Sequence, residues 1–291
     1  MPTVFWKRAL TVVILVPATV ALVLLAPVWL LAGAAGVVIL LSLWEFFRMG
    51  DLAGFSGYVQ WTTLCSLLIV FNQWRQAADA DGRLPDRMTV SAWHGIPGGI
   101  EAILILFVVG LGLLATFSRI PVSKRLGALV ASAGGMVFVA LPLSYLVRMV
   151  GLPEGRRYLL LLLVMMWVGD TSAYLVGRSI GRMPMAPVLS PKKTWEGAAA
   201  NLLGSVVVAL VAARWLDASM VTLLALAVAA NLAGQVGDLL ESSYKRSAGV
   251  KDSGQLLPGH GGMLDRIDSL TLAAPVAWWY LWILTLSGHL R

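Results

Sequence analysis

The amino-acid sequence predicts an all-α, polytopic integral membrane protein with about nine transmembrane helices, and three observations carry this prediction. Hydrophobic residues make up 58% of the 291 positions, and only 13% are charged, against about 25% in soluble globular proteins. The mean hydropathy is +0.81. The long apolar runs lack the period-2 alternation of a transmembrane β-barrel, so helices are the remaining way to span lipid.

Nine apolar stretches approach the length of about 20 residues that a membrane-spanning helix needs. They are 9–25, 28–47, 58–74, 99–117, 126–147, 158–177, 197–215, 219–240 and 264–286. Lys7 and Arg8 precede the first stretch, and the second follows at once. We therefore expect a retained first helix rather than a cleaved signal peptide.

The distribution of Lys and Arg predicts the orientation in the membrane. With a cytoplasmic N-terminus, most of the 22 Lys and Arg residues lie on the cytoplasmic side, as the positive-inside rule requires. The net charge of +7 is scattered between apolar runs, as in loop anchors. This scatter argues against nucleic acid as a partner, and the expected surroundings are the lipid bilayer.

Polar residues inside the spans concentrate after residue 165. An acid at mid-bilayer costs about 2.5–3.5 kcal/mol, so such residues are functional candidates. In span six, Asp170 and Tyr174 share a helix face at i, i+4 spacing. Span eight carries a polar stripe at helical spacing, Asn231, Gln235, Asp238 and Ser242. The stripe predicts a cavity that faces protein or water, and hydrogen bonding between helices is the alternative.

Span nine opens with PGHGGMLDRIDS (258–269), which is typical of a site for phosphate and metal. Asp265 and Asp268 are three residues apart and project from one helix face. The preceding glycines let backbone N–H groups approach an anion. Carboxylates beside such a loop favour Mg²⁺, and we expect Asp238 to reach the same point from span eight. The alternative is that Asp265 pairs with Arg266 or with a neighbouring lysine.

Two basic segments flank these acids, SPKKTWEG (190–197) and SSYKRSAGVKDSGQLLPGHGG (242–262). They supply Lys192, Lys193, Lys245, Arg246 and Lys251. A topology signal or a lipid-headgroup patch is also rich in Lys and Arg. The interleaved Glu196, Asp252, His260 and glycines instead favour a polyphosphate site. His260 has two open interpretations, a phosphate contact or a cap for the following helix.

The segment SSYKRSAGVKDSGQLLPGHGGMLDRID (242–268) resembles the signature of the membrane-bound phosphatidate cytidylyltransferases, or CDP-diacylglycerol synthases. Tyr244 stands where that family usually has an aliphatic residue or Phe. The blocks GDLLES (237–242), SPKKTWEG and GDTSAYLVGR (169–178) also resemble family blocks in family order. The close resemblance covers about residues 165–270, and the N-terminal half is similar only as apolar spans.

The resemblance implies transfer of the cytidylyl group of CTP to phosphatidate, giving CDP-diacylglycerol and pyrophosphate with Mg²⁺, in phospholipid biosynthesis. We expect Asp238, Asp265 and Asp268 to bind Mg²⁺, with a second cation left open, and Lys245 and Arg246 to join them in catalysis. The expected substrate-binding residues are Asp170, Tyr174, Lys192, Lys193, Ser242, Lys251, Asp252, His260, Gly261, Gly262 and Arg266.

We expect two regions, N-terminal scaffold helices in 1–157 and a C-terminal catalytic region in 158–291. The expected location is a bacterial-type plasma (inner) membrane, with the site facing the cytoplasm. Gly33, Gly36, Gly197 and Gly204 predict close helix packing within the chain or in a homodimer. Three other classes are considered: a transporter or channel, a related cytidylyltransferase or prenol kinase with another lipid acceptor, and an inactive relative.

Overall fold

The computed structural model describes residues 2–80, 99–254, 256 and 261–288, with the backbone alone at 2–12 and 80. The helices are α1 (Pro2–Leu25), α2 (Val28–Leu52), α3 (Val59–Ala80), α4 (Gly99–Phe117), α5 (Val122–Gly135), α6 (Leu141–Met149), α7 (Gly155–Ile180), α8 (Trp195–Ala212), α9 (Met220–Ser247), α10 (Leu264–Ile267) and α11 (Leu270–Leu286). The π-helical segment Met136–Ala140 joins α5 to α6, so Val122–Met149 forms one span.

The all-α membrane class is confirmed, and each predicted apolar stretch corresponds to a helix. Seven spans in the described part of the chain are long and apolar enough to cross a membrane. Of the other two predicted stretches, α3 carries several polar side chains, and α1 has an apolar stretch, Val13–Leu25, over the residues whose side chains are described. The count of about nine is therefore close to the observed architecture. The predicted connection 75–98 begins inside α3, and its residues 81–98 lie outside the described residues.

The structure differs from the sequence-based expectation beside two spans. Helix α9 continues to Ser247 instead of ending at 240, so Lys245 and Arg246 lie on a helix rather than in a loop. An ion pair between Glu241 and Lys245, at i, i+4 spacing, stabilises this extension. The segment before α8 forms a small antiparallel hairpin of β1 (Pro184–Ala186) and β2 (Ser190–Thr194). The Thr194 hydroxyl then caps α8 by accepting a hydrogen bond from the Gly197 N–H at 3.1 Å.

Helices α7, α8 and α9 pack closely because glycines line their contacts. A Cβ atom at Gly169 would lie 2.2 Å from the Asn201 side-chain oxygen. A Cβ atom at Gly204 would lie 2.8 Å from the Ser172 hydroxyl, and one at Gly197 would lie 3.1 Å from a backbone oxygen of α7. Gly197 and Gly204 therefore serve packing within the chain. The polar residues Asp170, Asn201 and Asn231 lie where these three helices pack together.

Candidate active site

A polar cavity of about 340 Å³ opens between α7, α8, α9, the hairpin and the start of the last span. The polar side chains that line it are Asp170, Tyr174, Lys192, Lys193, Thr194, Asn201, Gln235, Asp238, Asp265 and Asp268. Seven of these are predicted site residues, or eight when the stripe residue Gln235 is counted with them. The cavity that the polar stripe predicts is therefore present.

Three carboxylates cluster beside this cavity, and two of them, Asp238 and Asp268, line it. One oxygen each of Asp238, Glu241 and Asp268 lie within 4.8 Å of one another. Close packing brings the two elements together, since a Cβ atom at Gly237 would lie 2.7 Å from the Asp268 backbone oxygen. The Oε1 atom of Glu241 is buried and has no hydrogen-bond partner among the described residues. Carboxylate oxygens are hard ligands, and an unpartnered one in such a cluster fits a divalent cation such as Mg²⁺.

Two lysines balance part of this negative charge. Lys193, from β2, places its Nζ atom 2.5 Å from Asp238 Oδ1. Lys245, on α9, lies 2.8 Å from Glu241 Oε2 and 2.8 Å from Asp265 Oδ1. The side chains of Lys245, Glu241 and Asp265 are exposed by only 12%, 3% and 9%, so this bridge is largely removed from solvent. Lys193 lines the cavity, whereas Lys245 lies outside the cavity lining and is bound between its two carboxylates.

Asp265 organises the turn that precedes the last span. Its Oδ2 atom accepts hydrogen bonds from the backbone N–H groups of Ser253, at 3.0 Å, and Gly262, at 2.8 Å. Gly261 has a φ of +82°, and a Cβ atom there would lie 2.7 Å from that same oxygen. The pairing with a neighbouring lysine, which the sequence left open, is the contact that Asp265 makes. A metal-binding role for Asp265 stays a prediction.

A chain of amides runs from the cavity into the helix interface. Asn201 donates to Asp170 Oδ1 at 3.1 Å, and Asn231 donates to Asn201 Oδ1 at 2.5 Å. Gln235 then donates to Asn231 Oδ1 at 2.7 Å. Asn231 is buried, whereas Asp170 faces the cavity. The polar stripe therefore does both things considered for it, because Gln235 and Asp238 line the cavity and Asn231 bonds the helices together.

Other predicted residues lie at the rim or outside the cavity lining. Arg246 donates from Nε to the Leu189 carbonyl at 3.0 Å and from a terminal nitrogen to the Val250 carbonyl at 3.1 Å. This guanidinium therefore anchors the hairpin to α9. The Tyr174 hydroxyl accepts a hydrogen bond from Arg178 at 2.8 Å. Lys192 is exposed at the cavity rim.

The remaining predicted positions are distributed around the same turn. Ser242 is buried on α9, and Arg266 is exposed on α10. Lys251 and Asp252 are exposed and do not line the cavity as the structure describes it. His260 lies outside the described residues, so its two interpretations stay open.

Two acids in the structure escaped the sequence-based site. Glu241 belongs to the carboxylate cluster, and its i, i+3 spacing from Asp238 was a usable signal. Glu45, on α2, is fully buried and reaches the glycine-rich turn. Its carboxylate accepts hydrogen bonds from the Met263 N–H at 2.9 Å and the Leu264 N–H at 2.8 Å. The only sequence signal for Glu45 was an acid inside an apolar span.

Fold and cavity together define an integral membrane protein with an acidic, lysine-flanked site at one end of its spanning helices. The chain belongs to the cytidylyltransferase family, whose family model matches residues 6–284. It is 46% identical over 125 residues to a phosphatidate cytidylyltransferase of Staphylococcus epidermidis, covering 42% of this chain and 48% of that protein. Proteins of the same name from Staphylococcus saprophyticus and Staphylococcus aureus are 44% and 45% identical over the same shares. The matched part of the chain spans about half the length of these relatives.

Proposed function

We propose that this protein transfers the cytidylyl group of CTP to phosphatidate, giving CDP-diacylglycerol and pyrophosphate in phospholipid biosynthesis. The observation that carries the proposal is the carboxylate cluster of Asp238, Glu241 and Asp268, which adjoins a cavity lined by lysines between membrane-spanning helices. Family membership and the names of the staphylococcal relatives support the same reaction.

The reaction needs no nucleophile from the protein. A phosphate oxygen of phosphatidate attacks the α-phosphorus of CTP, a new P–O bond forms, and pyrophosphate leaves with the electrons of the broken bond. The protein then contributes by positioning the two substrates and neutralising charge. Lys192 and Lys193 at the cavity rim are placed to attract the triphosphate, and Asp170 with its amide chain shapes the inner wall.

The carboxylate cluster is the place where Mg²⁺ would be held. Asp238, Glu241 and Asp268 supply the oxygens, and the unpartnered Glu241 oxygen is the specific feature that fits a cation. Bound there, Mg²⁺ would supply positive charge to phosphate oxygens that become more negative during the transfer. Lys193 lies against Asp238 and would exchange this contact for a phosphate contact when substrate enters.

We place the site at the cytoplasmic face of a bacterial inner membrane, with catalysis in residues 158–291 and the helices of 1–157 as scaffold. The charge distribution supports this orientation, because Lys and Arg concentrate on the side that carries the site. CTP does not cross a bilayer unaided. Inside-out vesicles should therefore convert added CTP, whereas sealed right-side-out vesicles should not.

The experiment that tests the reaction uses the full chain in detergent with labelled CTP, Mg²⁺ and phosphatidate, and measures lipid-bound CMP. We expect product that disappears with excess EDTA and in an Asp238→Asn variant. Asp51→Asn is the matched control, since Asp51 is an exposed acid outside the cavity lining. Product with a different lipid phosphate but none with phosphatidate would identify a related transferase. No product with any lipid phosphate would refute the proposal.

A further inference from the structure

Glu45 is a buried acid whose contacts all reach toward the turn that carries the candidate site. It lies on α2, and its side chain is fully buried. Oε2 accepts hydrogen bonds from the Ser253 hydroxyl and the Leu264 N–H, each at 2.8 Å. Oε1 accepts one from the Met263 N–H at 2.9 Å. A buried carboxylate with this many donors is well satisfied, so its place in an apolar span has a physical explanation.

The glycines of the turn are shaped around this carboxylate. A Cβ atom at Gly254 would lie 2.5 Å from Glu45 Oε1, and one at Gly262 would lie 2.4 Å from Oε2. Any larger residue at either position would displace the acid. The glycines that the sequence associates with an approaching phosphate thus also admit a carboxylate from the N-terminal half of the chain.

Glu45 and Asp265 hold the same piece of backbone from two sides. Ser253 donates its hydroxyl to Glu45 and its N–H to Asp265. The Gly262 N–H donates to Asp265, and the next two N–H groups donate to Glu45. Asp268 directly follows the short helix α10, whose first residue is Leu264. The position of Asp268 in the carboxylate cluster therefore depends on where Glu45 holds the start of α10.

We infer that Glu45 is a positioning residue for the candidate site, and that it sets the placement of Asp265 and Asp268 through the backbone of the glycine-rich turn. This inference rests on the proposed function for its catalytic readout only. Partners behind a metal ligand typically contribute about 10–100-fold to metal affinity or activity when they are removed. The N-terminal helices then complete the site as well as anchoring it in the bilayer.

The test compares Glu45→Gln with wild type in the full chain, purified in detergent. The amide keeps the side-chain volume but replaces one acceptor by an NH₂ group that faces backbone donors. We expect kcat to fall about 10–100-fold, with a higher half-saturating Mg²⁺ concentration and a smaller change in KM for CTP. Asp51→Asn removes an acid from the same helix at an exposed position and should leave these quantities unchanged.

Two readouts separate positioning from loss of folded protein. Mn²⁺ binding, measured by electron paramagnetic resonance without substrates, should weaken in Glu45→Gln when normalised to folded protein. Hydrogen exchange of a peptide covering 261–268 should accelerate, since Met263 and Leu264 donate to different oxygens of Glu45 and the amide keeps only one of them. A structural role alone would reduce activity in proportion to the folded fraction and leave Mn²⁺ affinity and KM at wild-type values. That result would overturn the inference.

If Glu45→Gln does not fold, Ser253→Ala tests the positioning role of Glu45 instead. It removes one hydrogen bond to Glu45 and keeps the Ser253 N–H bond to Asp265. We expect a smaller rise in half-saturating metal in the same direction, and a wild-type metal dependence would refute the inference. If wild-type protein makes no product with phosphatidate, the proposed function fails. Mn²⁺ binding and hydrogen exchange still test Glu45 in that case.

Discussion

Replacing Lys245 by Met removes the cation that bridges two buried acids. The Nζ atom lies 2.8 Å from Glu241 Oε2 and 2.8 Å from Asp265 Oδ1. Met has a similar length and shape but no charge, so the change tests the ion bridge with little loss of packing. Both carboxylates are left without the lysine in a region largely removed from solvent.

The expected cost is set mainly by Glu241. Asp265 keeps its backbone donors at 3.0 and 2.8 Å, whereas Glu241 has one oxygen that already lacks a partner among the described residues. Removing one member of a buried ion pair costs about 3–5 kcal/mol. We expect the free energy of unfolding of Lys245→Met to fall by an amount in this range. The loss should not double, although two acids lose the lysine, because Asp265 keeps its other donors. Adding Glu241→Gln removes the unpaired charge and should restore about 0.5–3 kcal/mol.

The assay is equilibrium unfolding in mixed micelles, followed by the fluorescence of the 12 tryptophans. Free energies of unfolding are compared for wild type, each single variant and the double variant, without divalent cations. Lys124→Met is the matched control, because Lys124 is exposed on α5. We expect this control to change stability by less than about 0.5 kcal/mol.

Two results would contradict the interpretation. A Lys245→Met variant that unfolds like the control would mean that the carboxylates are compensated without the lysine. Alternatively, the two single changes could add without any coupling, and the bridge between Lys245 and Glu241 would then carry no stability. Either outcome would also remove the support that this ion pair gives to the extension of α9.

Three further changes probe other parts of the site. Asp268→Asn removes one oxygen of the carboxylate cluster, so we expect lower kcat and a higher half-saturating Mg²⁺ in a titration of turnover; an unchanged Mg²⁺ curve would exclude Asp268 as a ligand. Asn231→Ala leaves buried amide partners unpaired and should cost about 1–3 kcal/mol in the same unfolding assay, whereas a neutral result would show that the amide chain is not structural. Arg246→Ala frees the Leu189 carbonyl, so hydrogen exchange of 184–194 should accelerate while the global unfolding midpoint stays unchanged, and unaltered exchange would refute the anchoring role.

Much of the fold was predictable because hydropathy alone identifies helices in lipid. Asp238 and Asp268 were also predictable as neighbours, since Asp238 lies on the polar stripe and Asp268 lies at the start of the following span. The hairpin was not predictable, because PMA and SPKKT are short and carry no period-2 apolar pattern. Hydropathy predicts that this span ends at 240, before the helix ends, and so places Lys245 and Arg246 outside it.

The contribution of Glu45 was hidden for a different reason. Periodicity and motif spacing report on residues that are close along the chain, whereas Glu45 and Ser253 are 208 residues apart. A single sequence holds no signal for which of many distant donors will meet an isolated acid. The one available signal was the cost of an acid in an apolar span, which marks a functional candidate and identifies no partner.

The long separation between Glu45 and its donors has a consequence for biosynthesis. A ribosome adds about 5–20 residues per second, so α2 enters the bilayer roughly 10–40 s before the donors exist. During that interval the nascent helix carries an unpaired carboxyl group near its C-terminal end, where water at the membrane surface can solvate it. The acid becomes buried only once the last spans have been translated and have docked. Truncated chains that stop before residue 253 should accordingly expose Glu45 to aqueous carboxyl-modifying reagents.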